Sequence, residues 1–158
     1  MIAVRPGVGG GIELRLGRQE ASLLADLASQ YLRLLEARDS APALSPDPAI
    51  ARLFPAAYAD PAAAARFREE GETAALAQRL ADAQRLAAIG AGRTRFDREE
   101  ATAFMRALNG LRLVVATRLG LYTEEDAQAL AGSHAPLARI HAWLGLFLER
   151  VVAALSES

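Results

Sequence analysis

Apolar residues recur along the chain with two different periods, and each change of period marks an element. Ile12, Leu14 and Leu16 alternate with Glu13 and Arg15, the two-residue repeat of a half-buried strand. Ile2 to Arg5 can pair with it. Pro6 and the run Gly9, Gly10, Gly11 then form the connection, a flexible loop more than a two-residue turn. From Arg18 to about Arg38 the period lengthens: Leu23, Leu24, Leu27, Tyr31, Leu34 and Leu35 follow at three- and four-residue steps, the stripe of a core helix. Pro42, Pro46 and Pro48 interrupt the chain next. Asp47 is placed to cap a short turn in which Ile50, Leu53 and Phe54 cover an opening in the core, and Pro55 ends it.

Asp60 followed by Pro61 starts another helical pattern, which runs to Ile89 with Gly90 as its stop. A straight helix of that length would span roughly 43 Å against an expected diameter of roughly 39 Å, which predicts a bend or break near Gly71. Asp97 and Glu100 have the spacing of a capping box, with Phe96 just outside to fix the entering chain. The helix that begins there carries Phe104, Leu108, Leu111, Val115 and Leu119 along its apolar centre and closes at Gly120. Thr123 and Asp126 repeat the box before a short helix to Leu130 that stops at Gly132. Ser133 is placed to cap a last helix whose Leu137, Ile140, Trp143, Leu144, Phe147, Val151 and Leu155 pack lengthwise on the Asp97 helix.

These elements predict a mainly α fold: a compact helical bundle of four to five main helices with a small N-terminal β-hairpin. They read as one domain over residues 1–158, the hairpin at about 2–16 and the bundle at about 18–156.

Composition narrows the chemistry. Cysteine is absent, which removes disulfides, thiolate metal sites and cysteine nucleophiles and suits a reducing, cytoplasmic setting. Lysine is absent as well, so Schiff-base chemistry is out and the glycine run has no phosphate-loop lysine. Eighteen basic residues against nineteen acidic ones remove the general electrostatic reason to expect nucleic acid. The opening MIAVRPGVGGGIELRLG has no continuous apolar stretch, and Trp143 to Leu148 is stopped by Glu149 and Arg150 far short of a membrane span. No membrane partner is expected.

Candidate functional groups are few. His134 and His141 are seven residues apart, about 10 Å along a helix, too far to share one metal, and exposed helix positions are their ordinary reading. Glu69, Glu70 and Glu72 read as a solvated face, and Arg93, Arg95 and Arg98 as a loop patch neutralised by Asp97, Glu99 and Glu100. No catalytic residue, cofactor or metal is expected. Arg112 and Arg118 fall within the wide apolar arc of their helix, where a guanidinium either reaches solvent over its methylenes or is buried against a carboxylate. For Arg118 the helix dipole favours a structural role. For mid-helix Arg112, structural pairing comes first and contact with a ligand or partner second. Asn109 and Gly110 both lower helix propensity, so a tertiary contact is expected to compensate. Gly110 would let another segment approach closely, and Asn109 could bond that segment or, in a homodimer, its symmetry mate.

The segments LFPAAYADPAAAARFREE (Leu53 to Glu70), FMRALNGLRLVVATRLG (Phe104 to Gly120) and HAWLGLFLERVV (His141 to Val152), in that order, resemble the actinobacterial family catalogued as domain of unknown function two-thousand-seventeen. IELRLGRQEASLL resembles that family's opening. The resemblance places Leu53, Phe54, Pro55, Tyr58, Phe67 and Arg68 in a proline-aromatic segment. It places Asn109, Leu111, Arg112, Thr117, Arg118, Leu119 and Gly120 in a long-helix motif, and Trp143 and Leu144 in the closing helix. Gly110 departs from the aspartate of the family pattern. The family has no established activity. Its genes commonly neighbour that of the Clp protease adaptor, which implies a connection to regulated proteolysis. A non-catalytic regulatory or protein-interaction domain is the reading that follows, with Tyr58, Phe67 or the proline-rich segment on an apolar patch, or with a homodimer through one helix face. The alternative is a small-molecule enzyme or ligand-binding protein with a polar pocket near Asn109 and Arg112.

Overall fold

A computed structural model describes residues 2–40, 47–54, 60–62, 65–66, 71–130 and 132–157. Its elements are β1 (Ala3–Pro6), β2 (Ile12–Leu16), α1 (Arg18–Ser40), α2 (Pro48–Leu53), α3 (Glu72–Ala87), β3 (Gly92–Phe96), α4 (Arg98–Arg118), α5 (Glu124–Ala129) and α6 (Pro136–Glu157). The mainly helical class is as the periodicity predicts. Tyr58 and Phe67, with Pro42, Pro46 and Pro55, lie outside the described residues.

The hairpin gains a third strand. β2 pairs antiparallel with β1 on one side, Val4 opposite Leu14, and with β3 on the other, Ile12 opposite Phe96 and Glu13 opposite Arg95. Arg93 and Arg95, expected in a loop, therefore stand on the outer face of a strand. Glu13 ties both of them, with each Nε 3.3 Å from one of its carboxylate oxygens. The neutralising acid is thus Glu13 across the ladder, while both arginine side chains stay largely exposed. Gly11 lets the ribbon close on β3, because a Cβ there would collide with the Phe96 carbonyl.

Ile12, Leu14 and Leu16 are buried on the inner face of β2. From there an aromatic chain crosses the core: Phe96 stacks on Phe104 at 5.1 Å, Phe104 meets Phe147 at 5.6 Å, and Phe147 takes the edge of Trp143 at 5.7 Å. Trp143 itself is half-buried. α4 is the central helix and packs on α6, α2, α3 and α1, while α1 lies along α3 and α6 continues onto β1. Leu108, Leu111, Val115, Leu144, Phe147 and Val151 are buried at the α4–α6 seam.

Local capping follows the sequence. Asp97 accepts from the Glu100 amide at 2.8 Å while Glu100 accepts from the Asp97 amide at 2.9 Å. Thr123 and Asp126 make the same reciprocal pair, and Asp47 accepts from the Ala49 amide at 2.9 Å. The expected break near Gly71 is where α3 begins, with Gly71 as its N-cap. The last helix starts later than Ser133 suggests. Ser133 Oγ accepts from the Ala135 amide, Ala135 takes the first helical hydrogen bond from Arg139, and Pro136 is the first helical residue.

Candidate functional site

α4 distributes its polar residues to three different surroundings. Asn109 is the exposed residue of the helix between Thr102 and Arg118. Gly110, beside it, is buried, and the close approach expected there is made by α1 and α3. A Cβ at Gly110 would stand 2.7 Å from Arg79 Nη1 and 3.2 Å from Tyr31 Cζ, and inside contact distance of the Tyr31 hydroxyl. That hydroxyl is buried and has no hydrogen-bond partner among the described residues, although the Arg79 guanidinium lies beside it. Burial pushes the hydroxyl's pKa up, against the pull of Arg79. Arg79 also lies over the Phe54 ring and donates to the Leu53 carbonyl, holding the end of α2.

One turn along α3 from Arg79, Asp82 is buried, and Arg106 of α4 grips it in a two-point ion pair of 2.7 and 3.0 Å. The pair raises the pKa of Arg106, chiefly through the hydrogen bond. Sequence reasoning did not single out Asp82. Its one signal is position: it lies three residues after Arg79 and four before Leu86, on the flank of the apolar stripe of Leu76, Ala83 and Leu86.

Arg118 makes a structural contact. Its guanidinium binds Asp47 at 2.7 and 2.8 Å, joining the end of α4 to the cap of α2. The Arg118 hydrogen bond, helped by the Ala49 amide, holds the Asp47 carboxyl below the ordinary aspartate range. The stabilisation is therefore present above the unfolded value of about 3.9 and is lost as pH falls through the lowered folded value. Arg118→Gln is expected to move the Asp47 titration back up, read by carboxyl carbon chemical shifts. An unchanged Asp47 titration in that variant would mean that the pair does not form in solution. Both side chains are substantially exposed, so the loss of stability should stay at about 0.5 kcal/mol.

Arg112 takes a third course, neither free in solvent nor paired with a carboxylate among the described residues. Its guanidinium lies against Gly145 of α6, where a Cβ would be 3.4 Å from Nε and 3.6 Å from Nη2, and its Nε is buried without a hydrogen-bond partner. His141, one turn before Gly145, faces the same corner. Burial lowers its pKa first, and the charges of Arg112 and Arg52 lower it further, so the imidazole is held neutral. Arg52, from α2, donates to the Leu121 carbonyl and, at 3.4 Å, to the Thr117 hydroxyl, and lies over the Tyr122 ring at 5.1 Å.

Beside this corner is an open cavity of about 320 Å³. Leu119, Leu121, Ala127, Leu130, Ala138 and Ala142 form its walls, and Ser133, His134, Arg139 and His141 its polar rim. The two histidines thus share one depression, although a straight helix would separate them. Gly132, at φ +79°, precedes the Ser133–Ala135 segment that leads into α6 and carries His134. A second, more polar groove between α3 and α4 is lined by Asp82, Arg85, Arg98, Glu99 and Arg106. Neither depression is lined by Asn109 or Arg112.

Among the described residues no helix is long and apolar enough to cross a membrane, and no group of three histidine or carboxylate residues is placed to hold a metal ion. No curated protein and no solved structure matches the chain. One family model does, over residues 1–155, a span that takes in the opening strands, the Asp97-capped helix and the closing apolar helix described above. The chain belongs to the family described as domain of unknown function DUF2017.

Proposed function

We propose that the chain is a non-catalytic regulatory or protein-interaction domain whose partner belongs to the Clp system of regulated proteolysis. The observation that supports this reading is the composition of α6. Its core side is filled by Leu144, Phe147, Val151 and Ala154, as any packed helix requires. Its outer side also carries apolar side chains, with Leu146 47% and Val152 43% exposed on either side of Glu149, and Ala142 and Ala153 exposed as well. From Ile140 to Leu148 the helix has no fully charged residue. Large apolar side chains left exposed on the outer side of a packed helix favour a second surface laid on that part of α6. The family resemblance, through its gene neighbourhood, names the Clp adaptor and protease as the proteins to test.

The test uses the purified full chain against purified Clp adaptor and protease, with binding followed by interferometry. Saturable binding is expected, with a loss of about tenfold or more in Leu146→Arg and little change in Arg33→Gln, exposed on α1. Absence of binding at about 100 μM, or equal binding by Leu146→Arg, would overturn the reading. A homodimer is the competing cover for the same kind of surface, and the exposure of Asn109 in the middle of otherwise covered α4 favours testing it. Light scattering of a monomer independent of concentration at about 1–100 μM removes it.

A further inference from the structure

We propose that the cavity between the end of α4, α5 and the start of α6 is a binding site for a small carboxylic acid with an apolar body. The inference is independent of the α6 surface. Two features of the cavity select the ligand. Its walls are aliphatic throughout, Leu119, Leu121 and Leu130 with the alanines, so an occupant is held by an apolar group. Its rim is cationic or neutral, with Arg139, His134, His141 and Ser133, and none of the described lining residues is a carboxylate. A cavity of about 320 Å³ is at the small end of ligand sites and suits an acid of a few carbons rather than a cofactor.

The charges behind the rim have the same sign. Arg112 from α4 and Arg52 from α2 both act on His141, and neither has a carboxylate partner among the described residues. Of the acids on α5, Asp126 accepts from the Tyr122 and Thr123 amides and Glu124 and Glu125 are exposed, and none of the three lines the cavity. An anion at the rim therefore has Arg139 among its lining residues, with Arg112 and Arg52 behind His141, at the mouth of an apolar cavity, where a carboxylate head and an aliphatic tail are both served. Burial and the Arg112 and Arg52 charges lower the His141 pKa in the free protein, and a bound carboxylate would oppose that shift, so binding should tighten as pH is lowered toward the His141 titration.

The probe is hexanoate, titrated into the full-length protein by calorimetry and amide chemical shifts, with hexanol and acetate as controls. Saturable binding is expected at residues of the cavity, at least about tenfold tighter than hexanol, which lacks the charge, and than acetate, which lacks the tail. Arg139→Gln, an exposed substitution that leaves the fold intact, should weaken hexanoate about fivefold and leave hexanol unchanged. Ala127→Leu should abolish binding by filling the cavity. Hexanol or acetate binding as well as hexanoate, no saturation by about 10 mM, or hexanoate affinity unmoved by Arg139→Gln and Ala127→Leu would each overturn the proposal. A leucine-terminated peptide binding more than about tenfold tighter than hexanoate, while its amide does not bind, would also overturn it and assign the cavity to the end of a partner chain.

Discussion

Gly110→Ala is expected to destabilise the protein by about 1–2 kcal/mol, although alanine is the better helix former by about 1 kcal/mol. The new methyl would press on the Tyr31 hydroxyl and stand 3.2 Å from Cζ of a ring that is 1% exposed. Arg79 can yield, because the contact is with the far end of a flexible side chain. Tyr31 cannot, because its ring is packed into the core and must drag α1 with it. Tyr31→Phe alone should be close to neutral, since the oxygen it removes is buried and unpartnered. In the Tyr31→Phe background the penalty of Gly110→Ala should shrink, because the hydroxyl contact is gone while the 3.2 Å approach to Cζ remains. The cycle therefore carries a coupling of about 1 kcal/mol, read as the non-additivity of four denaturant midpoints. Additive effects would show that the glycine is not there to admit the tyrosine.

How much of this was legible in the sequence depends on the range of the interaction. The caps at Asp47, Asp97 and Thr123 were readable because the side chain and the amide it serves are two or three residues apart. The core stripes of α1, α4 and α6 were readable because periodicity reports burial directly. β3 was not. Its five residues, GRTRF, put two arginines outward and only Thr94 and Phe96 inward, and nothing local distinguishes that from a loop until Glu13 on β2 supplies the opposing charge. Arg112 was recognised as out of place in an apolar arc, but the resting place that resolves it is a glycine on another helix. The spacing of His134 and His141 spoke only to a shared metal; that both line one cavity depends on α5 and the end of α4, which supply its other walls and are not local to either histidine.

The Asp82–Arg106 pair gives the second large effect, and its two halves should not be equal. The carboxylate side chain is 5% exposed and the guanidinium side chain 39%. Arg106→Ala leaves a buried negative charge without the two hydrogen bonds that answered it, and about 3 kcal/mol of stability should be lost. Asp82→Ala leaves a guanidinium that already reaches solvent and can turn fully into it, and the loss should be nearer 1 kcal/mol. Removing both should cost less than removing Arg106 alone, since the double variant buries no unpaired charge. Asp82→Ala as damaging as Arg106→Ala would mean that the carboxylate holds more than its arginine. Its proximity to Arg79, one helical turn away on α3, then makes the Tyr31–Arg79–Asp82–Arg106 series one electrostatic unit across α1, α3 and α4. That outcome also predicts that Arg79→Met and Arg106→Ala are non-additive, whereas two independent contacts would give losses that sum.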